Sequence, residues 1–387
     1  MVTAAQPLSA VSVTPAARVR HLGPNWYAAV MGTAVLGSAG VALPAHAAVL
    51  RAVFGACWVL SLILLVALLA ARSLHWAHHR DQARADLLDP AVAPFYGCLS
   101  MAPLAVGGGA LTAGQQVIGD RTAVVLDAVL FTAGTAVGLA AAVAVPYLMA
   151  VRHRVEPAQA APAWLLPLVA PMVSAALGPL LVPHLPPGQA RATLLLGCLA
   201  LFGLSLFATL LMLPLVFGRL LSGPLPPALT PTLFLVLGPL GQSTTAVGNI
   251  ADAAARVVPA PYARGLDVFA VLYGVPVMGF ALLWLALAAA HVVRARRHGM
   301  GFALTWWAFT FPVGTCVTGA MALARHTGLV VYDGLAVGLY ALLAAGWLAA
   351  ASGTVRGLLS GALLAAPRTA PSAPRSGTGR TRSDAAR

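Results

Sequence analysis

Residues 306–320, with the sequence WWAFTFPVGTCVTGA, place a proline, two glycines and three threonines in an apolar stretch that has no charged residue up to position 323. Pro312 lacks a backbone N–H and its ring clashes with the preceding turn, so a helix that contains it is bent and leaves carbonyl groups without partners. In a membrane, such groups are tolerated only where protein or water reaches them. The segment is therefore predicted to line a pore or face a substrate, with Phe311 at the bend.

Neutral polar groups, rather than charged ones, are the candidates for contact with a substrate. The candidate pore-lining and kink positions are Gly32, Thr33, Pro103, Gly107, Pro171, Ala175, Gly238, Pro239, Gly241, Gln242, Pro312 and Thr315. Hydroxyls and the N–H groups of broken helices can replace part of an anion's hydration without the deep energy well of a buried arginine. Such weak binding suits conduction of a small anion. The alternative is that the hydroxyls hydrogen-bond to carbonyls of their own helices.

Side chains for other kinds of chemistry are scarce. The chain has no lysine, which removes phosphate-loop and Schiff-base lysines from consideration. Four cysteines lie in four different apolar segments without a CxxC pair and are predicted to be small core residues: Cys57, Cys98, Cys198 and Cys316. Asp252 is the single carboxylate in the segments that carry the candidate residues. We therefore predict no enzyme activity, no catalytic residue, no cofactor and no metal site.

The overall composition is that of a multi-pass membrane protein. Hydrophobic residues make up 60% of the 387 residues and charged residues 9%, and the mean hydropathy is +0.87. The net charge of +13 would suggest nucleic acid as the partner of a soluble protein. Here the arginines lie between apolar segments, so we predict that they face lipid headgroups and that the chain binds no nucleic acid.

Ten apolar segments are long enough to cross a bilayer, which takes about 20 residues each. They are residues 25–44, 49–71, 95–117, 122–149, 164–183, 190–217, 232–254, 266–290, 302–323 and 333–352. Seventeen of the 23 arginines fall on the side that carries both termini, which predicts cytoplasmic termini in a bacterial inner (plasma) membrane. Asp127, Asp267 and Asp333 lie near the starts of even segments, where the helix dipole favours a carboxylate.

The odd segments recur at a nearly constant interval. Their bulky starts are Trp26, Phe95, Trp164, Leu233 and Thr305, which are 69, 69, 69 and 72 residues apart. This spacing predicts five copies of one helical hairpin around an axis along the membrane normal. Prolines and glycines concentrate in the odd segments, which we therefore place on the inside. The predicted fold is an all-α membrane protein with ten transmembrane helices, arranged as five hairpins with quasi-fivefold symmetry around a central pore.

The chain divides into three predicted parts. Residues 1–23 form an N-terminal cytoplasmic segment, residues 24–355 form the transmembrane channel or transporter domain, and residues 356–387 form a disordered basic cytoplasmic tail. The tail is too polar and too rich in proline, glycine and serine to bury a core.

Four motifs in order carry a resemblance to a known family. They are PNWYAAVMGTAVLG in the first segment, PAWLLPLVAPMVSAALG in the fifth, GPLGQSTTAVGNI in the seventh and WWAFTFPVG in the ninth. Over residues 22–355 the chain resembles the tellurite-resistance/dicarboxylate transporter family. This family includes the bacterial TehA proteins, fungal malate and sulfite exporters, and the slow anion channels of plant guard cells.

The resemblance implies ten helices in five hairpins, a pore lined by odd helices, and a homotrimer in which each subunit has its own pore. It also implies a phenylalanine on the ninth helix that closes the pore. Phe311 matches this residue best, and Phe309 is the competing choice. Two GxxxG pairs on even segments are expected to serve close packing, including contacts between subunits: Gly134 with Gly138, and Gly334 with Gly338.

The expected function is an anion channel or facilitative transporter for chloride, nitrate, sulfite or a C4-dicarboxylate. The alternative is a proton-coupled exporter of a dicarboxylate, sulfite or a tellurite-type oxyanion. In both cases the partners are small anions, the lipid bilayer and two further copies of the chain.

Overall fold

A computed structural model describes residues 20, 22–44, 48–153, 155–156, 159–361 and 363. Nearly all of the predicted N-terminal segment 1–23, and most of the predicted tail 356–387, lie outside the described residues. Residues 356–359 belong to the last helix, which continues four residues past the predicted domain boundary at 355.

Ten long helices, numbered here in chain order, make up most of the described chain, and no strand occurs within it. They are α1 (Tyr27–Ala42), α2 (Ala48–His78), α3 (Tyr96–Gly109), α4 (Asp120–Leu148), α5 (Leu166–Leu177), α6 (Gln189–Leu221), α7 (Leu237–Ala254), α8 (Ala260–Arg297), α9 (Phe311–Thr327) and α10 (Val330–Leu359). A short helix, Arg80–Leu88, follows α2. A π-helical turn, Ala110–Gly114, and the short helix Gln115–Ile118 extend α3.

Eight helical spans are long and apolar enough to cross a membrane, so the chain is a multi-pass membrane protein. These spans contain every long helix except α1 and α7. Helix α1 has only 16 residues, and α7 carries the polar run Gln242 to Thr245. The ten-span arrangement therefore stays a prediction.

Each odd span begins with a 3₁₀ segment: Pro24–Trp26, Ala93–Phe95, Pro162–Leu165, Pro227–Val236 and Leu304–Phe309. At the last of these the predicted kink is instead a break, because Thr310, with φ −102° and ψ −84°, separates the 3₁₀ segment from α9. Pro312 is the second residue of α9, where a helix needs no N–H donor. The proline therefore starts a helix rather than bending one.

Odd and even spans differ in burial. In Ala93–Ile118, Pro162–His184 and Leu304–Thr327, 78–83% of the most apolar 18-residue window is buried, against 22–28% in the five even spans. The odd helices contact one another in a cycle, α1 with α3, α3 with α5, α5 with α7, α7 with α9, and α9 with α1. Each odd helix also packs against the even helix that follows it. The core therefore lies among the odd helices.

Indole N–H groups fasten even helices to odd spans. Trp58 of α2 donates to the Val106 carbonyl at 2.9 Å, and Trp284 of α8 donates to the Leu233 carbonyl at 3.0 Å. Because water is absent from the bilayer core, such a bond replaces one that no lipid could supply.

A buried ion pair joins the end of α2 to the short helix that follows it. Arg72, which is 4% exposed, donates to Asp86 Oδ2 at 3.3 Å, to the Leu22 carbonyl at 2.9 Å and to the Tyr96 hydroxyl at 2.6 Å. The guanidinium thus holds together the entry to α1, the end of α2 and the start of α3.

Replacing Arg72 with methionine is expected to cost about 3–5 kcal/mol of unfolding free energy, because Asp86, whose side chain is 12% exposed, loses its arginine partner. Among the described residues, the carboxylate then keeps only Gln82 at 3.0 Å and His75 at 3.8 Å. Replacing both Arg72 with methionine and Asp86 with leucine should recover much of that loss. The exposed pair of Arg20 with Asp81, 3.5 Å apart, provides the control, since Arg20→Met should cost less than about 1 kcal/mol. Equilibrium unfolding in mixed micelles measures all three variants, and equal losses for Arg72→Met and Arg20→Met would contradict the assignment.

Candidate functional site

Two cavities lie along the odd helices. The first, here called the aromatic cavity, has a volume of about 50 Å³ and lies near the beginnings of these helices. Its lining is mostly apolar and includes Met31, Phe95, Met101, Val169, Leu235, Gly238, Trp307, Phe311 and Pro312. Among the described residues, all five odd spans contribute to it and no even helix does.

The second, here called the polar cavity, has a volume of about 350 Å³ and lies near the ends of the odd helices. Its polar lining residues are Ser38, Thr112, Gln242, Thr245, Asn249, Asp252, Thr318 and Arg325. The described lining again comes from all five odd spans and from no even helix. The same five odd spans therefore line both cavities, the aromatic cavity near their beginnings and the polar cavity near their ends.

Phe311 separates the two cavities. It is the one described residue that lines both, and it is 7% exposed. It is the first residue of α9, directly before Pro312, so the break at Thr310 sets its direction. Its ring is apolar, so water and ions beside it lose hydrogen bonds that the ring cannot replace.

Phe309 lies elsewhere. Its ring packs against Phe234, with centroids 4.9 Å apart, and against Trp306, with centroids 5.8 Å apart, and its Cβ approaches Gly346 of α10. It is absent from the described lining of both cavities. The two phenylalanines that the sequence left as alternatives therefore occupy different environments.

Three of the twelve predicted pore-lining and kink residues line these cavities. Gly238 and Pro312 line the aromatic cavity, and Gln242 lines the polar cavity. Pro239 lines a separate apolar pocket that includes Pro276 of α8. The other eight are absent from both described linings: Gly32, Thr33, Pro103, Gly107, Pro171, Ala175, Gly241 and Thr315.

Several of these eight pack helices together. Gly32 lies against Thr310 and Trp307, and Gly241 lies against the backbone of α9 at Thr315. The Thr33 hydroxyl accepts a 3.0 Å hydrogen bond from Trp347 of α10 and donates to its own helix, as the alternative for the hydroxyls anticipated.

The glycine run on α3 shows that a shift of one residue changes what a position faces. A side chain at Gly107 would meet Asp127 and Leu130 of α4, whereas the next two residues, Gly108 and Gly109, line the polar cavity. One residue on a helix turns the direction by about 100°, which is enough to move a position off the cavity wall.

Sequence reasoning missed the spacing of the polar cavity. Phe311, Thr318 and Arg325 are seven residues apart on α9 and therefore share one face, and all three line the cavity. The seven-residue interval was visible in the sequence. From the sequence alone, Arg325 is one of the six arginines assigned to the side opposite the termini, and nothing there links it to a cavity.

Asp127 also differs from expectation. It lies two turns inside α4 rather than at the helix end, is 1% exposed, and neither carboxylate oxygen has a hydrogen-bond partner among the described residues. The helix dipole does not explain a carboxylate in that place. It faces Gly107, behind the wall of the polar cavity.

Comparison with known proteins gives one family over nearly all of the chain. Residues 21–355 match the model of the voltage-dependent anion channel family, SLAC1. An uncharacterized transporter of Methanocaldococcus jannaschii is 26% identical over 332 residues, which cover 85% of this chain and 91% of that protein. The sulfite efflux pump SSU1 of Arthroderma otae is 28% identical over 338 residues, covering 85% and 88%, and that of Trichophyton rubrum is 27% identical over 324 residues, covering 81% and 85%.

The family and these relatives are transporters or channels rather than enzymes, which agrees with two cavities that meet at a single ring. The resemblance of the four motifs is confirmed at the level of the family. The chain belongs to the voltage-dependent anion channel (SLAC1) family of anion transport proteins.

Proposed function

We propose that the protein is an anion channel or facilitative transporter in which the anion moves along the axis of the five odd helices and past Phe311. The observation that carries this proposal is the placement of Phe311 between two cavities whose described walls come only from odd spans. Among the described lining residues of the two cavities, only Asp252 and Arg325 carry a charge, and both lie near the ends of their helices, so we expect a small anion to be held weakly on either side of Phe311.

The proposal includes ten membrane-crossing helices in five hairpins with quasi-fivefold symmetry, over residues 24–355. The cyclic contacts of the odd helices and the 3₁₀ segment at the start of each odd span support it. In this arrangement α1 and α7 are shielded by neighbouring helices, so they do not need the apolar surface of a lipid-facing span. The proposal also puts both termini and the aromatic cavity on the cytoplasmic side of a bacterial plasma membrane, which the arginine distribution supports.

The proposed substrates are chloride, nitrate, sulfite and C4-dicarboxylates. The fungal relatives are named sulfite efflux pumps, which favours sulfite and makes a proton-coupled exporter the second candidate. Reversal potentials of the purified protein in planar bilayers separate the two. A channel should give reversal potentials set by the anion gradient alone, and a shift when only the proton gradient changes would favour the exporter. Equal currents from protein-free bilayers would overturn both.

A homotrimer with one pore per subunit is also proposed, with even helices between subunits. The pair Gly134 and Gly138 packs inside the subunit, against Ser100 and Leu104 of α3 and Ala170 of α5. The pair Gly334 and Gly338 on α10 has open space around it. The α10 pair is therefore the candidate for contact between subunits.

Light scattering in mild detergent is expected to give three times the chain mass of 39.4 kDa. Replacing Gly338 with leucine should shift the protein toward monomer, because a side chain there prevents close approach of α10 to a neighbouring subunit. Gly203→Leu on α6, also in open space, should leave the trimer intact. A monomeric parent protein would contradict the trimer, and a Gly338→Leu trimer would move the contact to another helix.

A further inference from the structure

The polar cavity contains a guanidinium with unused donors. Among the described residues, Arg325 forms hydrogen bonds through Nη2 only, to Asp252 Oδ2 at 3.0 Å and to Asn249 Oδ1 at 3.4 Å. Its side chain is 45% exposed and lines the cavity, which leaves Nη1 and Nε available to a ligand. Both forks of a guanidinium, Nε with Nη2 and Nη1 with Nη2, include Nη2, so Arg325 can bind two oxygens of one anion when it turns away from Asp252.

The carboxylate beside Arg325 has a second partner. Asp252 Oδ1 lies 3.3 Å from His326 Nε2, and His326 Nδ1 lies 2.7 Å from Asp267 Oδ1. Asp252 can therefore stay in place through His326 when Arg325 turns toward an incoming anion. Asp252 and Arg325 also balance each other's charge, so an anion that leaves Arg325 is not trapped by an uncompensated cation.

Deeper in the same cavity, Gln242 has an unpartnered carboxamide. The residue is 4% exposed, lines the polar cavity together with Phe311, and its side chain forms no hydrogen bond to any described residue. Its amide atoms are accessible from the cavity rather than sealed inside the protein, so they keep their capacity to form hydrogen bonds with what enters. An unpaired amide that faces a cavity therefore indicates a ligand or water at this place.

Arg325 and Gln242 lie at different depths in the polar cavity, and the face of α9 gives the length of the path. Phe311, Thr318 and Arg325 follow one face of α9, and the 14 residues between the first and last span about 21 Å at a helical rise of about 1.5 Å per residue. Halfway along, the Thr318 and Thr245 hydroxyls are 2.7 Å apart. An anion that enters at Arg325 passes these two hydroxyls, whose protons are used in bonds to backbone carbonyls, before it reaches the Gln242 amide.

We propose that the polar cavity binds small oxyanions at two positions. Arg325 binds the anion near the cavity opening, and Gln242, which lines the cavity together with Phe311, binds it further inside. This inference rests on the proposed function and adds a substrate preference to it. The fork of Arg325 directs two parallel N–H groups at two oxygens of nitrate or sulfite, whereas a halide is a single acceptor toward which both N–H groups must bend. The site therefore favours oxyanions over chloride.

The test measures nitrate and chloride flux, each below saturation, into proteoliposomes that contain the parent protein or a variant. Arg325→Lys keeps the charge but loses the fork, and it should lower nitrate flux at least fivefold more than chloride flux. Gln242→Leu should lower nitrate flux about tenfold. Arg121→Lys is the control, because Arg121 is exposed at the start of α4 and lines neither described cavity.

Size-exclusion chromatography first establishes that each variant is folded, and Arg325→Gln replaces Arg325→Lys if the latter is not. An unchanged nitrate-to-chloride ratio in the Arg325 variant overturns the oxyanion site while anion transport by the parent protein stands. If the parent protein carries neither anion, the proposed function fails. Thermal stabilisation by nitrate then decides the site alone: stabilisation of the parent but not of the Arg325 variant supports it, and equal shifts overturn it.

Discussion

Replacing Phe311 with alanine is expected to raise anion flux severalfold or more, with little change in selectivity among anions. Phe311 is the one described residue that lines both the aromatic and the polar cavity, so we expect its removal to join them into a continuous passage. The ring binds no anion through a charge or a hydrogen bond, which is why its loss should change the rate more than the preference. Stopped-flow anion efflux from proteoliposomes, with current recordings in planar bilayers, measures the gain.

Phe309→Ala is the matched control, because it removes the same side chain two residues away. Phe309 packs against Phe234 and Trp306 and approaches α10, so its loss should cost about 3–5 kcal/mol of stability without opening a passage. A folded Phe311→Ala protein with no gain in flux would remove Phe311 as the barrier. A gain in Phe309→Ala alone would assign the role to that residue instead.

The sequence was sufficient to predict the order and approximate position of the helices. Apolar length, arginine spacing and the interval of 69 residues do not depend on which way any helix is rotated about its own axis. The predicted odd segments are the more buried ones wherever the comparison can be made. These features do not predict which individual residues of a helix face a cavity.

Rotation of the odd helices could not be predicted, because they are buried on nearly every side. At α1, for example, twelve of the sixteen residues are buried, so no polar face indicates which side is turned toward the axis. Thr33 illustrates the result, since its hydroxyl accepts a bond from α10 and lies away from both described cavities. The π-helical turn at Ala110–Gly114 adds a further change of register that no composition signal announced.

Arg325 illustrates a different limit. An arginine near the end of a span is ordinarily a topology signal, and that is how its sequence position was interpreted. Its contacts to Asp252 and Asn249 are made across 73 and 76 residues of sequence, from α7 to α9. Such a pairing depends on the contact between two odd helices and cannot be found by local spacing.

The α7–α9 contact itself should be sensitive to mutation. A Cβ atom at Gly241 would lie 2.5 Å from the backbone N of Cys316 and 2.5 Å from the carbonyl carbon of Thr315. Backbone atoms of a packed helix cannot move aside as a flexible side chain can, so α7 and α9 would have to separate. We expect Gly241→Ala to cost about 1–3 kcal/mol of unfolding free energy, and Gly241→Val to cost more.

Gly238→Ala makes the same change one turn earlier on α7, where no atom lies within 4 Å of the added Cβ. It should be neutral or stabilising by up to about 1 kcal/mol, because alanine restricts the unfolded chain and favours helix. Equilibrium unfolding in mixed micelles compares the two variants directly. Equal stability of Gly241→Ala and Gly238→Ala would mean that α7 and α9 are not in close backbone contact. The packing that positions Gln242 of α7 and Phe311 of α9 along one cavity would then be wrong. Both the proposed role of Phe311 and the proposed anion site at Gln242 would lose their structural basis.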